Sequence, residues 1–133
     1  TQHLPANFNP LFAEQIRRAT RLPVVIAEEG MAVRPGTIHV APGHAHLSLG
    51  KTARGAVTVQ LTQERCLHGS FPAVDPMFTG LARVYGAGAC GVILSGMGRD
   101  GLAGSVVKAG LASAILPPPA IADLIIGQWQ AVA

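Results

Sequence analysis

Residues 89–101 constrain the fold most strongly, because the apolar run ACGVIL is followed closely by the glycine-rich loop GMGRDG. A continuous apolar run of strand length suits a parallel strand that is covered on both faces. The residues after the loop can turn helical, and buried strands that alternate with helices define α/β domains. We therefore predict a mostly parallel, doubly wound sheet with helices on both faces. Ligands bind beyond the carboxyl ends of such strands, where this loop is placed.

Two proline-containing pairs predict where helices begin. Asn9-Pro10 opens PLFAEQIRRATRL and Asp75-Pro76 opens PMFTGLARVYG, each as an N-cap followed by proline at the first helical position. Residues at helical spacing predict an inward-facing stripe on each helix. The stripes consist of Phe12, Ile16 and Ala19 on the first helix and of Met77, Leu81 and Tyr85 on the second.

Short β-rich runs between the two helices predict a small antiparallel β addition to the sheet. These runs are PVVIAEE, TIHVAP, HLSLG and AVTVQL. Arg34-Pro35-Gly36 and Pro42-Gly43 separate some of them and predict turns, since proline sets φ and glycine permits the chain to reverse.

The composition predicts one domain with apolar faces that something else covers. Of the 133 residues, 49% are hydrophobic and 13% are charged, and the mean hydropathy is +0.37. The charged share is about half the usual one, which is low for a small soluble monomer. No stretch approaches the roughly 20 apolar residues that span a bilayer. The N-terminus lacks the layout of a signal peptide, so we expect no membrane insertion.

The charged residues, cysteines and histidines indicate which partners to exclude, namely nucleic acid, metals and cofactors. The net charge is +3, but the basic residues are scattered and the pair Arg17-Arg18 lies on a predicted helix, so we expect no nucleic acid. Cys66 and Cys90 lack C-x-x-C spacing, which favours reduced thiols in the cytoplasm. His44 and His46 could share a strand face, as metal ligands do. They lack a Cys, Asp or Glu at ligand spacing, so we expect no metal and no cofactor.

The loop at residues 96–101 admits three interpretations. As G-x-G-x-x-G it matches the dinucleotide fingerprint, but the Asp100 carboxylate would repel phosphates at a helix N-terminus. The acidic residue that this fingerprint requires after the next strand is also missing, since LASAIL ends in three prolines and Asp123 lies in a predicted helix. In the second interpretation, Asp100 only caps the helix. We favour the third, in which Asp100 orients a histidine and supports its imidazolium.

His3, in TQHLP, is the candidate partner of Asp100, and with it the residues resemble a known family. The shared segments, in the family's order, are TQHLP, FNPLFAEQI, PGTIHVAPGHAHLSL, FPAVDPMF and GVILSGMGRDGLAG. The chain resembles the catalytic domain of bacterial chemotaxis protein-glutamate methylesterases, the CheB family, from residue 1 to about residue 105.

The resemblance implies a serine hydrolase that removes γ-methyl esters from glutamates on the cytoplasmic helices of chemoreceptors. It assigns His3 as the general base, Asp100 as the acid that orients it, and the Met97 backbone N–H as a donor to the oxyanion. It also admits glutamine deamidation of the same receptors. The parent protein is then expected to carry a phosphorylatable receiver domain, which this sequence lacks.

The sequence departs from the family pattern in two places. The family's nucleophile lies in a Gly-Ala-Ser-type turn upstream of TQHLP, and no serine here sits in G-x-S-x-G; the serines are Ser48, Ser70, Ser95, Ser105 and Ser113. We therefore expect the nucleophile to lie outside this sequence and these 133 residues alone to be inactive. After Gly104 the family's C-terminal third is shortened, which predicts a partial catalytic domain with a gap near residues 105–111. We favour omitted residues over an evolutionary deletion. The alternative function is an inactive receptor-binding fragment or truncated homologue.

Overall fold

A computed structural model describes residues 1–66, 69–94 and 120–126. The chain divides into two compact units, one spanning Thr1–Gly91 and the other including residues 92–94 and 120–126. The described residues that bear on function below belong to the first unit.

Among its described residues, the first unit contains two α-helices, four strands and two short 3-10 helices. The α-helices are α1 (Asn9–Thr20) and α2 (Asp75–Tyr85), and the strands are β1 (Val24–Ile26), β2 (Ile38–Val40), β3 (His46–Lys51) and β4 (Val57–Thr62). The 3-10 turns cover Ala6–Phe8 and Gly86–Gly88. The four β-rich runs thus all form strands, as predicted.

Strands β1 and β2 form a parallel pair that α1 covers. Val24 pairs with Ile38 and Ile26 with Val40, and the Ala27 N–H extends the pairing by donating to the Val40 carbonyl at 2.8 Å. Buried Ala13 of α1 packs with Val24 and Val40. Phe12 and Ile16 of α1 pack against the same cluster. This layer confirms the α/β prediction and the first two members of the α1 stripe.

Strands β3 and β4 form the predicted antiparallel addition, with registers running from His46 opposite Thr62 to Lys51 opposite Val57. For the runs that become β1 and β2 the antiparallel prediction is wrong, because these two strands pair in parallel. Helix α2 packs on β3 so closely that a Cβ on Gly80 would lie 2.4 Å from Ser48 Oγ and 2.6 Å from Leu49 N. The main core of the unit lies between these elements and consists of Ala27, Ala41, Leu47, Leu49, Val59 and Val84.

Both helices begin one residue earlier than the capping pattern predicts. Phe8 holds the cap position of α1 and Asn9 is its first helical residue, while Val74 and Asp75 hold the same positions on α2. The Asn9 carboxamide is buried and donates from Nδ2 to the Ala41 carbonyl at 3.2 Å. The N-cap interpretation of Asn9 is therefore wrong, because a tertiary contact uses its side chain.

Two predicted burial positions and one predicted strand are also wrong. Ala19 is exposed, and Tyr85 is exposed because Gly80 and Val84 form the buried side of α2. The run at residues 89–94 forms no strand, and Leu94 is 69% exposed. An apolar run fixes only a preference for burial, whereas a strand also needs a hydrogen-bonded neighbour at the right register.

The described part of the second unit includes a helical segment at residues 120–126. It contains Asp123, as predicted. None of the helices that the structure describes is long and apolar enough to cross a membrane.

Candidate active site

His3 lies exposed on the segment that precedes α1. The Leu4 N–H donates to the Gln2 carbonyl at 2.9 Å, which closes a three-residue turn with His3 at its centre. His3 is not among the residues with positive φ, so the turn is of the inverse γ type. The backbone on both sides of His3 is thereby fixed while the residue itself stays exposed.

Gly43 holds this segment against the turn that follows β2. A Cβ built on Gly43 would lie 2.3 Å from the Ala6 backbone N and 2.6 Å from the Leu4 carbonyl oxygen. Real Cβ atoms essentially never approach other atoms within 3.0 Å. Only glycine therefore permits the two backbones to lie this close together.

Two further contacts anchor the segment at its ends. The buried carboxamide of Asn9 reaches the Ala41 carbonyl, directly after β2. Thr1 Oγ1 lies 3.3 Å from the Met77 sulfur in α2. His3 is thus placed beside the carboxyl end of a parallel strand, where α/β sheets bind ligands.

An open groove of about 290 Å³ lies beside the His3 turn. Its lining includes the two sequence neighbours of His3 and residues of the helical turns that follow, namely Gln2, Leu4, Phe8, Leu11, Phe12 and Gln15. Phe8 is 49% exposed and Leu11 is 59% exposed. The lining of this groove is apolar apart from Gln2 and Gln15.

The other predicted site residues lie outside the described residues. These are Asp100 and Met97, together with the junction at 105–111. The pairing of His3 with Asp100 and the oxyanion role of Met97 stay predictions.

Ser48 is one of the two candidate serines within the described residues, and its position argues against a role as nucleophile. Its Oγ lies against Gly80 in the interface between β3 and α2. A hydroxyl packed under a helix is poorly placed to attack a protein substrate. Ser70, the other candidate, is half-buried and precedes α2.

His46 is a core residue and not an open metal ligand. Its ring is fully buried and accepts a hydrogen bond at Nδ1 from the Ala73 N–H at 2.7 Å. Since Nδ1 accepts, Nε2 carries the proton and donates to the Glu64 carbonyl at 2.9 Å. Phe71 packs edge-on against the ring, with 4.4 Å between centroids. His44, by contrast, is exposed.

The basic pair on α1 is engaged by an acidic neighbour. Arg17 and Arg18 both donate to the Glu14 carboxylate, and Arg17 also donates to the Val24 carbonyl at 3.1 Å. The hydrogen bond from Arg18, followed by those of Arg17, lowers the pKa of the exposed Glu14 carboxyl. This face of α1 carries compensated charge, which is typical of a solvated helix surface.

Sequence reasoning missed the roles of Gly43 and Asn9. Pro42-Gly43 is predicted as a turn in which glycine permits reversal, yet Gly43 is not among the glycines with positive φ. The glycine is needed for space, and a single sequence contains no signal of which distant backbone will approach it. Asn9 is hidden for the same reason, because its acceptor lies 32 positions away along the chain.

The structure is that of an α/β domain, with a parallel strand pair under α1 and an antiparallel addition under α2. Its candidate active site is the histidine turn at the carboxyl end of β2. Comparison with known proteins identifies the family. The family model described as CheB methylesterase matches residues 1–108, and the chain belongs to this family.

A solved structure and curated relatives agree with this assignment. A crystal structure of the CheB methylesterase catalytic domain of Thermotoga maritima matches with a TM-score of 0.86 and 29% identity, over 96% of this chain and 80% of that one. A protein-glutamate methylesterase/protein-glutamine glutaminase of Nitrosomonas europaea is 44% identical over 104 residues, which is 78% of this chain. A protein of the same name in Maricaulis maris is 35% identical over 99% of this chain. The chain spans only 29% and 33% of the lengths of these two relatives.

Proposed function

We propose that the protein to which this chain belongs is a protein-glutamate methylesterase that hydrolyses glutamate γ-methyl esters on the cytoplasmic helices of chemoreceptors. The observation that carries the proposal is the His3 turn, which presents an exposed histidine at the carboxyl end of β2. Family membership over residues 1–108 and the names of the relatives support it.

The proposed mechanism is that of a Ser-His-Asp hydrolase. A serine from outside this sequence attacks the ester carbonyl while His3 takes its proton and Asp100 stabilises the imidazolium. The Met97 N–H donates to the oxyanion, a contact that contributes about 10²–10³ in rate in other hydrolases. The imidazolium then protonates the departing methoxide, and methanol leaves. His3 next activates a water that cleaves the acyl-enzyme. This step leaves a glutamate carboxylate on the receptor and regenerates the serine hydroxyl.

The same acyl chemistry extends to glutamine side chains, from which ammonia leaves in place of methanol. The relatives' names include protein-glutamine glutaminase, which supports proposing this second activity. We also propose that the parent protein works in the cytoplasm. A receiver domain is a further proposal, and the length of the matched relatives, about three times that of this chain, leaves room for one.

We propose that residues 1–133 form a partial methylesterase-like catalytic domain with a gap near residues 105–111. A protein-glutamate methylesterase/protein-glutamine glutaminase of Anaeromyxobacter dehalogenans supports this: its alignment extends over 148 positions, more than the residues of this chain, at 36% identity. Such an alignment requires gaps opposite residues of the relative that this chain lacks.

Methanol release from methylated receptor by the full-length protein tests the triad. His3→Ala and Asp100→Asn should each lower kcat by about 10⁴-fold or more, since the first removes the group that transfers the proton and the second leaves the imidazole in the wrong tautomer. His44→Ala is the matched control, because this histidine is exposed and has no predicted part in the proton transfer, and it should leave kcat unchanged. Full activity of both triad variants would refute the assignment.

The second candidate is a receptor-binding module without hydrolysis. The placement of Ser48 under α2 favours it if these residues act without the upstream segment. It predicts that the intact protein has a mass of 13.7 kDa, which is that of residues 1–133, and that it captures receptor without releasing methanol.

A further inference from the structure

We propose that Gly43 and Asn9 are positioning residues that fix the His3 imidazole in its catalytic orientation by docking residues 4–9 onto the carboxyl end of β2. This inference rests on the proposed function. Neither residue is expected to touch the substrate or the reacting atoms.

Gly43 acts through the absence of a side chain. Its backbone does not need glycine, since it is not among the positive-φ residues. Its neighbours do need it, because a Cβ would fall 2.3 Å from Ala6 N, 2.6 Å from Ala6 Cα and 2.6 Å from Leu4 O. All three are backbone atoms, so no side-chain rotation relieves the overlap. With any larger residue here, the segment must move away by several tenths of an ångström.

The displaced atoms are directly coupled to His3. Leu4 is the next residue along the chain, and its N–H closes the turn around His3 by donating to the Gln2 carbonyl. Movement of the Leu4 peptide therefore rotates or opens this turn and redirects the imidazole. Misplacement of a catalytic group by about 1 Å can cost 10²-fold in rate.

Asn9 fixes the other end of the same segment. Asn9 is 4% exposed, and its carboxamide donates to the carbonyl of Ala41, which precedes Gly43 by two residues. One stretch after β2 thus holds the His3 segment both by a hydrogen bond and by close backbone packing. A buried hydrogen bond of this kind also penalises movement, because separation would leave the Ala41 carbonyl without its donor.

The test compares Gly43→Ala with Gly36→Ala in the full-length protein. The two glycines flank β2 at opposite ends, and Gly36 has φ +70° with nothing within 4 Å of the place that a Cβ would take. Alanine at Gly36 therefore strains the local backbone without displacing any neighbour. Asn9→Ala serves as a second variant, so that the inference stays testable if Gly43→Ala folds poorly.

We expect Gly43→Ala to lower kcat about 10- to 100-fold with KM changed much less, and to alter the shape of the kcat–pH profile. Asn9→Ala should act in the same direction, while Gly36→Ala should lower only the melting temperature. Unchanged kcat and pH profile in folded Gly43→Ala and Asn9→Ala proteins would overturn the inference.

An NMR measurement separates this inference from the proposed function. The His3 ring signals and the Leu4 and Ala6 amide signals should shift in Gly43→Ala and stay in place in Gly36→Ala. If the wild-type protein releases no methanol, the proposed function fails, and these signals still decide whether Gly43 positions His3. Unmoved His3 signals in Gly43→Ala would overturn the inference on their own.

Discussion

His46 shows how a histidine without a catalytic role is recognised from its contacts. Both ring nitrogens are used by backbone groups, Ala73 N–H on one side and the Glu64 carbonyl on the other. The ring thereby ties β3 to the segment that leads into α2, and its tautomer is defined by those partners. From the sequence, His44 and His46 are equivalent candidates for metal ligands. The structure distinguishes them, since His46 is buried and His44 is exposed.

Replacing His46 with alanine should destabilise the protein by about 2–4 kcal/mol. The change opens a cavity and leaves the buried Ala73 N–H without an acceptor. Urea denaturation of both variants measures the effect, with the exposed His44→Ala as the control that should shift the free energy of unfolding by less than about 0.5 kcal/mol. Equal stability of the two variants would contradict the core role of His46.

Helix α2 packs on the antiparallel pair β3–β4, hereafter the hairpin, and approaches it closely at Gly80. Arg83 strengthens the same interface, donating to the Leu49 carbonyl at 2.8 Å and to Gln60 at 3.2 Å. The close approach explains why a helix interior contains a glycine, which is otherwise a poor helix former.

Gly80→Ala should therefore destabilise the fold although alanine favours helix by about 1 kcal/mol. The added Cβ would meet the Leu49 backbone N at 2.6 Å, and such overpacking costs about 1–3 kcal/mol. Gly88→Ala is the control, because nothing lies within 4 Å of its Cβ position. Thermal unfolding of both variants is the measurement, and a stabilised Gly80→Ala protein would show that the helix–hairpin contact is looser than described.

At the level of elements, local patterns predict strands and helices well and tertiary contacts poorly. The runs that become β1–β4 are short, and β1, β2 and β4 are rich in β-branched residues. Gly and Pro separate several of these runs, and these properties act locally. Both helices start one residue early, and the Asn9 side chain bonds to Ala41, 32 positions along the chain, where the local pattern predicts a cap. Residues 89–94 are apolar enough for a strand, yet strand formation depends on pairing that composition does not encode.

For the whole molecule, the site could be predicted only in part. His3 comes from the family resemblance, and the structure places it at a strand's carboxyl end. The residues that hold it there depend on a close backbone approach that a single sequence does not reveal. Apolar side chains such as Phe8 and Leu11 remain strongly exposed, in keeping with the expectation that something else covers the apolar faces of this domain.

We predict that the nucleophilic serine of the full-length protein lies outside residues 1–133. A serine-directed fluorophosphonate should label one serine outside residues 1–133, because Ser48 is packed against α2 and no serine here has the nucleophile pattern. Peptide mapping after labelling identifies the site, with His3→Ala as a control that should suppress labelling. A modified Ser48 or Ser95 would contradict the prediction.

Two of the partners that restrain the histidine turn, Ala41 and Gly43, follow β2 directly, so the position of the turn depends on how β2 aligns with β1. A slip of β2 by a single residue would carry Ala41 and Gly43 along together, and would point the imidazole elsewhere without altering any residue of the turn. The accuracy with which β1 and β2 pair during folding would thus determine the fraction of molecules whose His3 is oriented for catalysis.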